Sequence, residues 1–473
     1  MRRRRSDDQF RLGLAAGALG AISLPWLARA LFGAAARLGL TILTNDIFSE
    51  NIWELIGAAV RAGPQVIIET GLRAAKGSVV LRPLGTPKHF AGFDGMMFTL
   101  AQLQRLPTPL GTPVATGVTI GPRARRPLKL RIPIMIAGMA YGLGLSERAK
   151  VALARGAAQV ETATNTGEGP WLQAERDAAA KLVLQWNRAT WAKEPSILKQ
   201  VDMVEIQIGQ AAYGGVGHKM AAARIGPTLR RRLGIEPGSA AVRQSRVPGV
   251  TSGADLARLI DYLRAETGGV PIGVKLSAGD DLERDIEIAV RAGADALTID
   301  GAEGGSHGAP PVLEDDFGLP TLYALCRARR ALDRLDPQHT VSLIISGGLT
   351  GPGHYLKALA LGADAVAIGT IAMFAVCHSQ IGKTLPFEPL TQLIWYKGKQ
   401  SSRFNVEVGA RDLARYLRSC TREMCVAVRA LGKSSLAAVG RDDLVALDDL
   451  TAKITGLPLA WVPKSERRLV RRL

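Results

Sequence analysis

Lys275, in the run Gly273-Val274-Lys275-Leu276, is a cation inside a stretch that reads as a buried strand. A lysine there is costly unless it meets an anion or a polar ligand, so a ligand contact is favoured over a side chain that snorkels out at the strand end. Glu168, within Thr166-Gly167-Glu168-Gly169, could donate a proton or cap the helix that follows. His307, flanked by Gly304, Gly305 and Gly308, could serve as acid or base, or face solvent from its loop. A second kind of chemistry is written in glycine. Ser342-Leu343-Ile344-Ile345-Ser346 ends in Gly347-Gly348, and Ala365-Val366-Ala367-Ile368 ends in Gly369-Thr370. Between them Gly351-Pro352-Gly353-His354 opens a helical run from Tyr355 to Leu361. Bare backbone at strand ends, facing a helix N-terminus, binds a phosphate without needing a cationic side chain.

These residues need a scaffold that brings distant strand ends together. From Ile132 onward, apolar strand runs alternate with helical runs: Pro133 to Ala137, Gln159 to Ala163, Met203 to Ile208, Pro271 to Leu276, Ala294 to Ile299, Val341 to Ser346 and Ala363 to Ile368. Alternation of this kind means a parallel sheet with helical crossovers. Seven strands are visible and an eighth is expected near Val242 or in a loop, so the reading is an α/β chain forming a (β/α)8 TIM barrel. In that fold the phosphate site lies after the last two strands and the chemistry at the C-terminal ends of all of them. Those ends carry Gly138-Met139-Ala140-Tyr141-Gly142, the Glu168 segment, Gln210 with Tyr213-Gly214-Gly215, Lys275, and Asp300 to Gly308. On such a rim Lys275 could face the N1 and C2 carbonyl edge of a flavin, where negative charge develops on reduction.

The chain of 473 residues carries a formal net charge of +18, with Arg2 to Arg5, Arg230 to Arg232 and Arg467, Arg468, Arg471 and Arg472 as clusters. Nucleic acid is disfavoured as a partner, because no binding module appears and aromatics are not interleaved with the basic residues. An anionic membrane explains the clusters better. Leu12 to Ala28 is apolar and uncharged, follows the arginine run, and continues through Arg29 into Ala30 to Ala36. Flanking positive charge would keep the N-terminus in the cytoplasm. A return hairpin or an interfacial lie, either compatible with Arg29 and Arg37, would leave the barrel on the cytoplasmic side. The expected organisation is 1–50 as basic, hydrophobic membrane segment, 51–130 as helical arm and connector, 131–400 as barrel and 401–473 as helical extension. Within the arm, Asn51 to Ala75 reads as amphipathic helices broken at Gly63-Pro64, and Pro83 to Pro113 as a connector outside the barrel. Cys326, Cys377, Cys420 and Cys425 show neither metal-site spacing nor a disulfide framework, and Cys420 and Cys425, on different faces of one helical run, read as structural.

Taken together, the rim segments resemble the FMN-binding synthase domain of the glutamate synthase family. The resemblance runs from about Gly92 to Leu459. Gly138 to Gly142, Thr166 to Gly169, Gln210 to Gly215, Gly304 to Ala309, Ser346 to Gly348 with Gly369-Thr370, and Ala430 to Ser435 carry it. It implies an oxidoreductase with FMN as cofactor, held by Gly138, Met139, Ala140, Gln210, Lys275, Gly304, Gly305, Ser346, Gly347, Gly348, Gly369 and Thr370. It also implies a 2-oxo acid that condenses with ammonia or an amine and is reduced at the imine carbon, 2-oxoglutarate giving glutamate. Glu168, Lys275, Tyr213 and His307 are the expected catalytic residues, and no metal is expected.

Departures from the family fall on the substrate and electron-supply side. Tyr213 stands where the family has a lysine that holds the oxoacid, Ala140 replaces a serine, and Ser306-His307 replaces a single threonine. The family's three-cysteine segment is reduced to Cys377-His378, and one thiolate cannot hold an iron-sulfur cluster. With no glutaminase segment preceding the barrel, electrons and nitrogen are expected from an electron-donor or amidotransferase subunit, and a homo-oligomer remains open. Two alternatives stand beside the reductase: the flavin subunit of an N-methylglutamate synthase-like amine-transfer complex, and a non-catalytic membrane scaffold.

Overall fold

The computed structural model describes residues 26–466 apart from 46, 49, 52 and 212. The run Leu12 to Pro25 and the arginine clusters at both chain ends lie outside the described residues. The chain divides into two units, Met1–Val80 and Leu81–Leu473. In the first, an exposed helix covers Trp26–Asn45. Two amphipathic helices follow at Trp53–Ala62 and Pro64–Lys76, interrupted at Gly63-Pro64 as expected.

In the second unit each strand of the central sheet alternates strictly, because successive side chains point to opposite faces. Strands β1 (Ile134–Ile136), β2 (Ala163–Asn165), β3 (Lys181–Trp186), β4 (Met203–Gln207), β5 (Ile272–Ser277), β6 (Ala296–Asp300), β7 (Ser342–Ser346) and β8 (Ala365–Ile368) form one sheet of eight in the order β1-β8-β7-β6-β5-β4-β3-β2. All neighbouring pairs are parallel. The ends of the order, β1 and β2, are bridged where Thr162 Oγ1 donates to the Ile134 carbonyl at 2.6 Å, so the sheet is a nearly closed barrel. Val204, Ile206, Val274, Leu297, Ile299, Leu343 and Ile345 point outward into the main core. Met135, Ala163, Val183, Met203, Ala296, Ile344 and Ala365 point inward, packed against Ile120, Leu128 and Leu130. Those last three belong to a hairpin, Val118–Ile120 with Leu128–Leu130. It seats on the N-terminal ends of the strands through Gly121 N donating to Ser342 Oγ at 3.0 Å and Arg126 N donating to the Gly269 carbonyl at 2.9 Å.

Three expectations need correction. The eighth strand is Lys181–Trp186, not a segment near Val242; Val242 lies in a separate antiparallel hairpin, His218–Met220 with Ala241–Arg243. Extended backbone is there, but it pairs with its own neighbour inside the β4–β5 connection. The second strand begins at Ala163, where the apolar run was expected to end, so Thr164 and Asn165 are strand residues whose polar side chains are buried. The connector Pro83 to Pro113 also differs from its reading as arm: it belongs to the barrel unit, and part of it crosses the C-terminal rim.

Candidate active site

Polarity rises along the inward faces of β4, β5 and β6 toward their C-terminal ends. On β4 the inward residues run Met203, Glu205, Gln207; on β5, Gly273, Lys275, Ser277; on β6, Ala296, Thr298, Asp300. The register sets Lys275 beside Thr298 and Gln207, and Asp300 beside Ser277 and Ser346. Glu205 accepts from Asn165 Nδ2 at 2.9 Å, Gln185 Nε2 at 2.8 Å and Thr298 Oγ1 at 2.7 Å, closing the polar layer across the barrel. Above it, Lys275 Nζ stands 3.1 Å from Asp300 Oδ2, and Asp300 Oδ1 accepts from Ser346 Oγ at 2.6 Å. Burial works against the Lys275 charge, but Asp300 and Glu205 outweigh it and hold the ammonium above its ordinary range. The expected ligand contact of Lys275 thus has a protein counter-ion as well, one that inspection of the sequence left without a role.

A cavity of about 540 Å³ opens over this layer. Its wall includes Gly138, Met139 and Ala140 after β1, Glu168 after β2, and Gln210 and Tyr213 after β4. It also includes Lys275 on β5, Gly304, Gly305 and His307 after β6, Ser346, Gly347 and Gly348 at β7, and Gly369 and Thr370 at β8. Every residue expected to be catalytic or to hold the cofactor therefore lines one recess. Gly167, at φ +65°, lets the β2 loop lie against the β1 loop, since a Cβ there would stand 2.5 Å from the Ala140 nitrogen. Gly348, at φ +62°, would place a Cβ 2.6 Å from the Cβ of Glu303, so the cradle at the end of β7 admits only glycine without displacement. Helices Pro352–Ala360 and Thr370–Cys377 begin beside that cradle.

The opposite end of the cavity is built from groups that sequence reasoning weighted lightly or passed over. Glu168 is buried between Arg188, whose Nη2 lies 3.5 Å from Oε1, and Arg243, paired with Oε2. It caps no helix: the next one, Gln173–Ala178, begins after Leu172. Arg243 and His218 face each other across the hairpin register, and both line the cavity. Tyr213 donates its hydroxyl to the Gly308 carbonyl, and burial raises the phenol above its usual range. Its ring lies edge-on to His218, centroids 5.5 Å apart. His307 lines the cavity and is also exposed, edge-on to Trp395 at 4.6 Å. Desolvation, with Arg243 adding repulsion, lowers His218 to about 4. Desolvation, with Arg224 and Arg243, lowers His307 to about 4. Only the alternation of Ala240-Ala241-Val242-Arg243 signalled extended backbone there; nothing in the sequence aimed Arg243 at the recess.

Residues 84–94 form a strap along the cavity wall. Arg82 and Ala309 exchange backbone hydrogen bonds at 2.9 and 3.0 Å, and Arg82 Nε donates to Glu314 Oε2 at 2.8 Å. At its far end Asp94 meets His354 Nε2 at 2.9 Å, and the Phe93 carbonyl accepts from Lys357 Nζ at 2.8 Å.

Residues 113–434 match the family model described as the conserved region in glutamate synthase. The chain belongs to the glutamate synthase family. It is 34% identical over 412 residues to a glutamate synthase large subunit-like protein of Rhizobium meliloti (strain 1021), covering 82% of this chain and 93% of that one. It is 29% identical over 425 residues to an archaeal-type glutamate synthase [NADPH] of Thermotoga sp. (strain RQ2), covering 83% of each. Among solved structures, a flavocytochrome b2 variant with sulfite bound superposes with a TM-score of 0.50 at 15% identity, covering 80% of this chain and 82% of that one, a likeness of fold. Within this family the chain is a glutamate synthase-like oxidoreductase rather than an inert scaffold, and its cofactor is FMN. The residues fit that group: a glycine cradle that a Cβ would fill, a buried ammonium, and a cavity-lining acceptor, Gln185 Oε1, with no hydrogen-bond partner among the described residues.

Proposed function

We propose that this protein catalyses FMN-dependent reductive amination of a 2-oxo acid, with 2-oxoglutarate to glutamate as the family precedent, or reduction of a related imine. One observation carries the reading: a single recess joins the glycine cradle, the buried Lys275–Asp300 pair and, at its other end, the guanidinium of Arg243. Gly347, Gly348, Gly369 and Thr370 would hold the phosphate, with Gly138, Met139, Ala140, Gln210, Gly304 and Gly305 enclosing the rest of the cofactor beside Lys275. When bound, FMN supplies the hydride that an electrophilic imine carbon accepts. Lys275 keeps positive charge at the cofactor end, where reduction adds negative charge. Arg243 holds the substrate carboxylate, and Glu168 keeps that guanidinium turned into the recess. Tyr213 and His307 wall the substrate, and Trp395, Leu145 and Leu84 exclude water from it.

Overall, ammonia and a 2-oxo acid lose water to form an imine, which takes up two electrons and one proton as hydride and one further proton to give the amino acid. Nitrogen and reducing equivalents come from outside the barrel. The relative's name as large subunit-like supports a second reading, in which this chain is the flavin subunit of an amine-transfer complex. The protein is further proposed to associate with the membrane through its N-terminal segment, with the barrel on the cytoplasmic side; the 20-residue apolar helix Trp26–Asn45 supports this. The test is the absorbance spectrum of the detergent-solubilised full chain, followed by anaerobic titration with NADH, NADPH, reduced ferredoxin and quinol. Reoxidation of the reduced protein by a 2-oxo acid plus ammonium is the expected outcome. Absence of bound or bindable flavin overturns the reading, and reoxidation only with co-purified subunits selects the amine-transfer complex.

A further inference from the structure

The substrate end of the cavity can be surveyed group by group for charge. Among the described residues lining it, Arg243 is the cation, and Glu168 is its buried counter-ion. Arg188 lies behind Glu168 and shares it, so the three together leave one net positive charge. The remaining cations on the cavity wall are committed elsewhere. Lys275 is paired with Asp300 beneath the cofactor end. Lys88, on the strap, pairs with Asp316 at 2.5 Å. Glu303 is turned away from substrate, accepting from Thr321 N at 2.7 Å and Thr321 Oγ1 at 2.6 Å.

What surrounds Arg243 is flat and uncharged. Tyr213 has spent its hydroxyl proton on the Gly308 carbonyl, leaving its ring face. His218 lies edge-on to that ring, and His307 with Trp395 forms a second edge-on pair. Burial and the nearby arginines keep both imidazoles neutral above about pH 4. Leu143 and Leu145 complete the wall. A first carboxylate has a partner here. Arg224, which disfavours protonation of His307, is exposed and stands outside the lining, so a second carboxylate on the same substrate would give up its water to phenol, imidazole and indole surfaces with no cation among the described lining residues to receive it.

Resting on the reductive-amination reading, we propose that the substrate is a 2-oxo acid with a single carboxylate and an uncharged, aromatic or branched apolar side chain. Arg243 takes the carboxylate, and the side chain lies between the Tyr213–His218 and His307–Trp395 pairs. Specificity is then set by Tyr213, which occupies the wall where a cation would be needed for a dicarboxylate.

The test is calorimetric titration of the FMN-loaded, detergent-solubilised full chain with phenylpyruvate, 4-methyl-2-oxopentanoate and 2-oxoglutarate. The two monocarboxylates are expected to bind about tenfold or more tightly than 2-oxoglutarate, since an unpaired buried carboxylate costs at least that much. Tyr213→Lys should reverse the order while flavin absorbance is retained; if that variant loses its flavin, His307→Lys on the same wall serves instead. Equal or tighter binding of 2-oxoglutarate by the unaltered protein overturns the proposal and leaves reductive amination standing. A flavin-loaded protein that binds none of the three overturns both.

Discussion

Gly348 is the residue on which the cofactor site turns, because its backbone lies at φ +62° and its missing Cβ is what keeps Glu303 in place. In Gly348→Ala the left-handed backbone costs about 1 kcal/mol or more before any displacement of Glu303 is counted. The Glu303 carboxylate is tied to Thr321, so the clash moves a fixed group rather than a free side-chain tip. The variant should fold, with an unchanged far-ultraviolet circular dichroism spectrum, yet lose most of its flavin on desalting, read as visible absorbance relative to protein. Retention of full flavin content would show that phosphate is held elsewhere. The glycines and Lys275 were legible in the sequence because each breaks a local rule, bare backbone at a strand end or a charge within an apolar run. Asp300 and Arg243 break none. Their importance comes from register: Asp300 meets Lys275 because β5 and β6 pair Ser277 with Asp300, and Arg243 enters the recess because a hairpin sets it opposite His218.

At the scale of elements, the strands legible in the sequence are apolar runs whose outward residues pack into the main core. Lys181–Trp186 is not one of them: its apolar run is only Leu182–Leu184, bounded by Lys181 and Gln185. The strap is not legible either: Pro83 to Pro113 carries no periodic pattern, and its ties to the segment after β6 and to the helix Pro352–Ala360 place it on the rim. One of those ties titrates. Burial, opposed by Arg82, raises Glu314 from an ordinary value of 4.5 to about 7. Between these values the folded chain holds a proton that the unfolded chain has released, so the contribution is fully present below about 4.5 and is lost as pH rises to about 7. Glu314→Gln has no proton to lose. Its melting temperature relative to the unaltered protein should therefore climb from pH 4.5 to 7, by the equivalent of about 3 kcal/mol, and level off above. A difference that stays flat over that window would remove Glu314 from the account of how the strap is held.

For the molecule as a whole, the unsettled quantity is what its charge and its N-terminal helix do together. Trp26–Asn45 has 20 residues and would extend about 30 Å, the thickness of the hydrocarbon core. Arg37 stands near its middle, where a charge in hydrocarbon is expensive, whereas at the surface the same arginine is favourable. The two amphipathic helices that follow leave Leu55, Ile56, Val60, Val66 and Ile68 exposed, a second apolar surface suited to the same depth. A net charge of +18 adds attraction to anionic headgroups of about 1 kcal/mol for each arginine or lysine near the surface. Those terms favour an interfacial lie over a crossing, and they differ in how salt acts on them. The full chain should float with vesicles rich in phosphatidylglycerol at low ionic strength and be released in large part by about 0.5 M salt, because charges at the surface are screened over a few ångströms there. Arg37→Leu should shift the balance, so that more of the protein resists both salt and alkaline carbonate. If the unaltered chain already resists carbonate in full, the helix crosses the bilayer and the interfacial account falls.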